Sequence, residues 1–158
     1  PLQLASATSL LASGGDSITP HLSLKSIINN KEQVYNYNEN KNSINIDIDS
    51  LHIVNEAMWR VIYDNDVGTA SHLKKIEGIE FAGKTGTAQV YNLDKGKTGT
   101  KSLQDHALFI SFAPFENPEI IVSVIVDNGG SGSAVAAPIA RDIINFYFEN
   151  IKAKLAKK

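Results

Sequence analysis

Cysteine is absent from the 158 residues, which excludes disulfides and thiolate metal sites but leaves the compartment open. An excess of one charge sign is also lacking. Fifteen Lys and Arg face 17 Asp and Glu, and a net charge of −2 gives no electrostatic case for nucleic acid. The lysines gather only at the end, in Lys152, Lys154, Lys157 and Lys158, where they suit the C-terminal end of a helix dipole. Long apolar runs are missing: the best, near 120–126, is far too short to cross a bilayer. No signal peptide opens the chain, and Pro1 enters directly into a helical pattern without an initiator Met. The start therefore reads as cut or processed from a longer parent. His21, His52, His72 and His106 are scattered without metal-ligand spacing, so neither metal nor cofactor is expected. What is present is 42% apolar residues, enough for one domain with a core.

Leu4, Ala7 and Leu11 share one face of a first helix, which Gly14 and Gly15 stop. Residues 18–28 are mixed, with Pro20, and hold a short edge strand. The Asn-rich stretch 29–45 reads as an irregular connection, with a hairpin between 34–37 and 44–48 as an option. Asp49 or Ser50 caps a second helix with Leu51, Val54, Met58 and Val61 on one stripe and Ile62 beside it. Trp59 neighbours that stripe and suits partial core burial. Residues 80–91 form a strand rich in small residues, and 92–104 a polar loop. Segments 106–113 and 120–127 are strands joined by so short a turn that they are antiparallel neighbours. Asp127 and Asn128 precede a glycine-rich turn. A terminal helix spans 133–156 and places Val135, Ile139, Ile143, Phe146 and Ile151 on its buried side.

The sequence Gly-Lys-Thr-Gly-Thr occurs twice, at 83–87 and 96–100. The first copy is flanked by Phe81, Ala82, Ala88 and Val90 and lies in a packed strand; the second sits among Asp94, Lys95 and Lys101 in a solvated loop. Chemistry needs groups held firmly, so function is assigned to the first copy. Gly78 followed by Gly83-Lys84-Thr85 also matches a phosphate-loop pattern, but the surroundings read as strand rather than strand followed by helix. Ser71-His72-Leu73-Lys74 matches a Ser-x-x-Lys box, which needs a helix to bring amine to hydroxyl; Gly68 and Gly78 argue for a surface turn instead.

Period two puts Thr85 and Thr87 on one face of the strand and Lys84 and Gly86 on the other. Two hydroxyls and a cation in one short patch suit a carboxylate. Gly86 leaves room for another backbone to approach, and an exposed edge can pair with an extended peptide. The inferred ligand is a peptide with a terminal carboxylate. The alternative is a Thr-rich edge strand with a snorkelling lysine.

Beyond the octet 83–90, the chain carries Pro1-Leu2-Gln3-Leu4-Ala5, Pro20-His21-Leu22, Gly68-Thr69-Ala70, His106-Ala107-Leu108-Phe109, Phe112-Ala113-Pro114 and Asn128-Gly129-Gly130. In this order they resemble class B penicillin-binding proteins, nearest the elongation-type penicillin-binding protein 2 subfamily. The resemblance covers nearly the whole chain except the Asn-rich connection and the second motif loop. It implies an α+β fold, an antiparallel sheet flanked by helices, of which residues 1–158 are the C-terminal portion. It implies a serine D,D-transpeptidase acting on peptidoglycan stem peptides that end in D-Ala-D-Ala, acylated by β-lactams, working in the cell envelope with elongation-machinery membrane proteins. Lys84 would supply positive charge, Thr85, Gly86 and Thr87 would bind the carboxylate end, and the Thr87 N–H would give half an oxyanion hole. The Ser-x-x-Lys and Ser-x-Asn boxes are missing, so the fragment alone is expected to be inactive and could form a homo-oligomer that covers exposed apolar surface. A non-catalytic β-lactam or wall-peptide sensor of the same fold is the competing reading.

Overall fold

The computed structural model describes residues 1–35, 42–90 and 104–153. The second motif copy at 96–100 and Lys154, Lys157 and Lys158 lie outside the described residues.

The sheet that organises the molecule has three antiparallel strands in the order β5 (Ala82–Ala88), β6 (His106–Ala113) and β7 (Ile120–Val126). Its register places Thr85 opposite Phe109 and Phe109 opposite Val124. Paired residues share a face, so Gly83, Thr85 and Thr87 lie on the side of Ser111, Phe109 and Ala107. Ala82, Lys84 and Gly86 lie with Phe112, Ile110 and Leu108. Each face carries its own core. On the first, Phe109, Val122 and Val124 pack with Ala136, Ala137, Ala140 and Ile144 of the terminal helix. On the second, Phe112, Ile110 and Ile121 pack with Leu11 and Ala12 of α1 (Leu2–Ala12) and with Met58 of α2 (Ile48–Tyr63). The fold is α+β, with helices on both sides of an antiparallel sheet.

The buried face of α1 centres on Thr8, not Ala7, which is exposed. Thr8 is tolerated there because its hydroxyl donates to the Leu4 carbonyl at 2.8 Å. The chain turns out of α1 through Gly14 (φ +78°) and Gly15 (φ +110°), with the Gly15 N–H on the Leu10 carbonyl.

The described ends of the Asn-rich stretch carry short strands. β2 (Lys25–Ile28) pairs with β3 (Lys31–Val34), not with residues nearer 44–48. Asn29 and Asn30 make the two-residue turn with φ of 52° and 59°, the left-handed pair that suits a tight hairpin. Ile44 and its successors form no strand. Asn42–Ser43 (β4) instead pairs with Asp16–Ser17 (β1), and Ile48 already opens α2. The cap of α2 is Asp47 rather than Asp49 or Ser50. Its carboxylate accepts from the Ser50 N–H at 2.9 Å and the Ser50 hydroxyl at 2.7 Å, which holds its pKa below the ordinary value. The buried stripe of α2 is Met58 and Ile62, with Leu51 half-buried and Val54 exposed. Trp59 is half-buried, stacked on Tyr63 with its N–H on Glu80.

The terminal helical segment begins with a π turn at Gly132–Ala136, in which the Ala137 N–H reaches the Gly132 carbonyl, and continues as α3 (Ala137–Phe146) and a second π stretch at Tyr147–Lys152. Its core face is Ala136, Ala137, Ala140 and Ile144. Ile139, Ile143, Phe146 and Ile151, expected inside, are exposed, and Val135 is half-buried. The wider π turn shifts the helical phase. The helix also sits so close to the sheet that small side chains fit the contact and large ones turn away.

Candidate functional site

Among the described residues β5 is an edge strand, and its two halves differ. Phe81, Ala82 and Gly83 are buried, while Lys84, Thr87 and Ala88 are exposed and Thr85 and Gly86 half-buried. The buried half is fixed by the Phe115 N–H on the Glu80 carbonyl at 2.8 Å. It is also fixed by the Phe109 ring, which lies over Gly83: a β-carbon there would come within 2.4 Å of Cζ. The motif is thus anchored at one end and open at the other.

Along the open half, the Thr85 and Thr87 side chains stand on the terminal-helix face and Lys84 on the opposite face. The Lys84 ammonium nevertheless donates to the Thr85 carbonyl at 2.7 Å, which draws the cation from its own face to the strand backbone. Cation and hydroxyls belong to four consecutive residues of one exposed to half-exposed stretch of the strand.

A second backbone does approach the strand at Gly86, and the room comes from Gly132 as well. A β-carbon on Gly132 would lie 2.5 Å from both the Gly86 and the Leu108 carbonyl oxygens; one on Gly86 would meet Leu108 Cβ at 3.2 Å. The first turn of the terminal helix rests directly on the motif strand.

One polar neighbour went unmarked as a site residue in the sequence. Thr69, in the turn after α2, places its hydroxyl 3.0 Å from that of Thr85. The only sequence signal for it is the Gly68-Thr69-Ala70 triplet. His106, opposite Ala88 at the start of β6, holds the turn after β7: its Nδ1 accepts the Asn128 N–H at 3.0 Å, with Asp127 Oδ1 at 3.5 Å. That bond makes Nδ1 the acceptor, and the proton of the neutral ring sits on Nε2.

The decoys behave as turns and strands. Ser71 lies in a turn and not a helix, its N–H on the Gly68 carbonyl, and Lys74 is exposed. Strand β5 carries Lys84 and Thr85 where a phosphate loop would open a helix. Among the described residues, no group of three or more His, Asp or Glu could hold a metal, and no helix is long and apolar enough to cross a membrane.

The family model described as penicillin binding protein transpeptidase domain matches residues 1–145. The chain belongs to this family. It is 36% identical over 153 residues to the peptidoglycan D,D-transpeptidase MrdA of Haemophilus influenzae, covering 93% of this chain and 23% of that protein. To MrdA of Escherichia coli it is 29% identical over 150 residues, 92% of this chain and 23% of the other. Among solved structures it resembles Pseudomonas aeruginosa PBP2 in complex with WCK 5153 (TM-score 0.72, 35% identity, 93% of this chain and 30% of that one). It also resembles the PBP2 of Helicobacter pylori in its complex with MreC (TM-score 0.64, 26% identity, 92% and 24%). These relatives bear out the penicillin-binding protein 2 resemblance and the α+β fold. The chain spans about a quarter of the length of the curated relatives it matches.

Proposed function

We propose that residues 1–158 are the C-terminal portion of a serine-type peptidoglycan D,D-transpeptidase domain and supply its carboxylate-receiving strand. The observation that carries this is the half-open β5, whose exposed half holds Lys84, Thr85 and Thr87 with the Lys84 ammonium on the Thr85 carbonyl. A stem peptide ending in D-Ala-D-Ala presents one carboxylate, which only accepts hydrogen bonds; two hydroxyl donors and a cation complement it. β-Lactams carrying a carboxylate fit the same patch.

An edge strand turns alternate N–H and C=O groups outward. Because the Thr85 carbonyl receives the Lys84 ammonium, we read 85 and 87 as the outward set. The Thr87 N–H is then free to stabilise the oxyanion of a tetrahedral intermediate, and Gly86 keeps the strand surface low beside it. Lys84 also supplies positive charge toward a Ser-x-Asn segment. The nucleophilic serine and that segment come from parts of the protein beyond these 158 residues. The serine attacks the penultimate carbonyl, D-alanine leaves, and the amine of a neighbouring stem takes the acyl group. The protein then works on the outer face of the cytoplasmic membrane, and the MreC complex named for the Helicobacter pylori relative supports elongation-machinery partners.

Labelling with a fluorescent penicillin tests this. The full-length protein carrying this chain is expected to label covalently at a serine outside residues 1–158, and the isolated chain not to label. Labelling of Ser71 would overturn the assignment.

A further inference from the structure

The carboxylate-binding reading uses Thr85 but leaves its hydroxyl proton unassigned, and the 3.0 Å contact with the Thr69 hydroxyl decides where that proton goes. The two hydroxyls own two protons. One lies between the oxygens, and the other points elsewhere. If Thr85 donates to Thr69, Thr85 turns lone pairs toward the open strand, where an anion is repelled. If Thr69 donates, the Thr85 proton is released toward the ligand, and the bond it accepts polarises the bond it makes.

Thr69 is well placed to act as the fixed member of the pair. Gly68 sits on the end of α2 so closely that a β-carbon would come within 2.3 Å of the Asp64 carbonyl oxygen. The Gly68 N–H bonds that carbonyl at 2.9 Å, and the buried Ala70 donates to the Val61 carbonyl at 2.9 Å. Lys75 closes the turn, its ammonium bonded to the Ile62 and Ser71 carbonyls and 4.7 Å from the centre of the Tyr63 ring. Thr69 therefore leaves the backbone from a turn tied on both flanks, 16 residues before the Thr85 it touches.

We propose that Thr69 is a positioning residue that donates its hydroxyl proton to Thr85 Oγ1 and so aims the Thr85 proton at the ligand carboxylate. This rests on the reading of β5 as the carboxylate-receiving strand. Thr69 then contributes to selectivity for acidic ligands over neutral ones without touching the ligand.

The test compares acylation of the full-length protein by a penicillin and by its methyl ester. Wild type is expected to react faster with the free acid. Thr69→Val should lower the free-acid rate by up to about tenfold, the order expected for one neutral hydrogen bond, and leave the ester rate unchanged. Thr69→Ser should restore the free-acid rate. If Thr69→Val does not fold, as judged by its melting temperature, Thr69→Ala is measured in its place. Equal loss on both ligands, no loss on either, or no rescue by serine would overturn the proposal. A wild type that does not favour the acid would instead overturn the carboxylate reading itself.

Discussion

Gly132 and Gly86 meet backbone to backbone: the first turn of the terminal helix rests on the motif strand so closely that a β-carbon on Gly132 would stand 2.5 Å from the Gly86 carbonyl oxygen. The contact fixes the height of the helix over the sheet and the line of the strand that carries Lys84, Thr85 and Thr87. Gly132→Ala must push helix from strand, and carbonyl groups in a hydrogen-bonded ladder cannot yield as a flexible side chain can. The expected cost is about 1–3 kcal/mol, the range of overpacked cores, read as a lower denaturation midpoint of the full-length protein. Gly86→Ala, which meets only Leu108 Cβ at 3.2 Å, should cost less.

Lys84 is exposed and its ammonium donates to the neighbouring Thr85 carbonyl, a surface contact that contributes little to folding. Lys84→Met should leave the melting temperature within a degree or so of wild type. It should reduce the acylation rate by about ten- to a hundredfold, as expected for loss of a charge-assisted contact. A large drop in melting temperature together with an unchanged rate would make the lysine structural.

The cap of α2 makes stability depend on acid. Asp47 has its pKa lowered from 3.8 by the Ser50 hydroxyl and N–H, so the folded state holds its proton less tightly than the unfolded chain. Its stabilising effect is complete above the unfolded value and disappears as pH falls through the lower folded one. The stability difference between wild type and Asp47→Ala should therefore be constant from neutral pH down to about 5 and shrink on further acidification. Urea titrations at several pH values would show it; a difference that grows in acid would contradict the cap.

The three strands of the main sheet are legible in the sequence because each announces itself: β6 by a largely apolar run around Phe109, Ile110 and Phe112, β7 by a nearly continuous β-branched run, β5 by the motif. The period-two division of Thr85 and Thr87 from Lys84 follows from the strand and holds in the register. The hairpin at Asn29 and Asn30 was hidden because Asn reads as loop composition. Its capacity for left-handed φ, which makes the turn, is visible only once two flanking strands are recognised. The large apolar residues of the terminal helix suggest the wrong buried face: Ile139, Ile143 and Phe146 are exposed. The short distance set by Gly132 reserves the contact for Ala136, Ala137 and Ala140. Thr69 escaped notice because its contact with Thr85 depends on how a turn folds back against a strand, which local pattern does not encode.

The role of this chain in a transpeptidase depends on whether the open half of β5 receives a carboxylate. The most direct measurement is the ratio of acylation rates for a penicillin and its methyl ester in the full-length protein, before and after Thr85→Val with Thr87→Val. Valine keeps the shape and removes both hydroxyl donors. The ratio is predicted to fall by at least about tenfold in the double variant, driven by the free acid alone. An unchanged ratio in a folded double variant would contradict the assignment of this strand as the carboxylate-receiving edge.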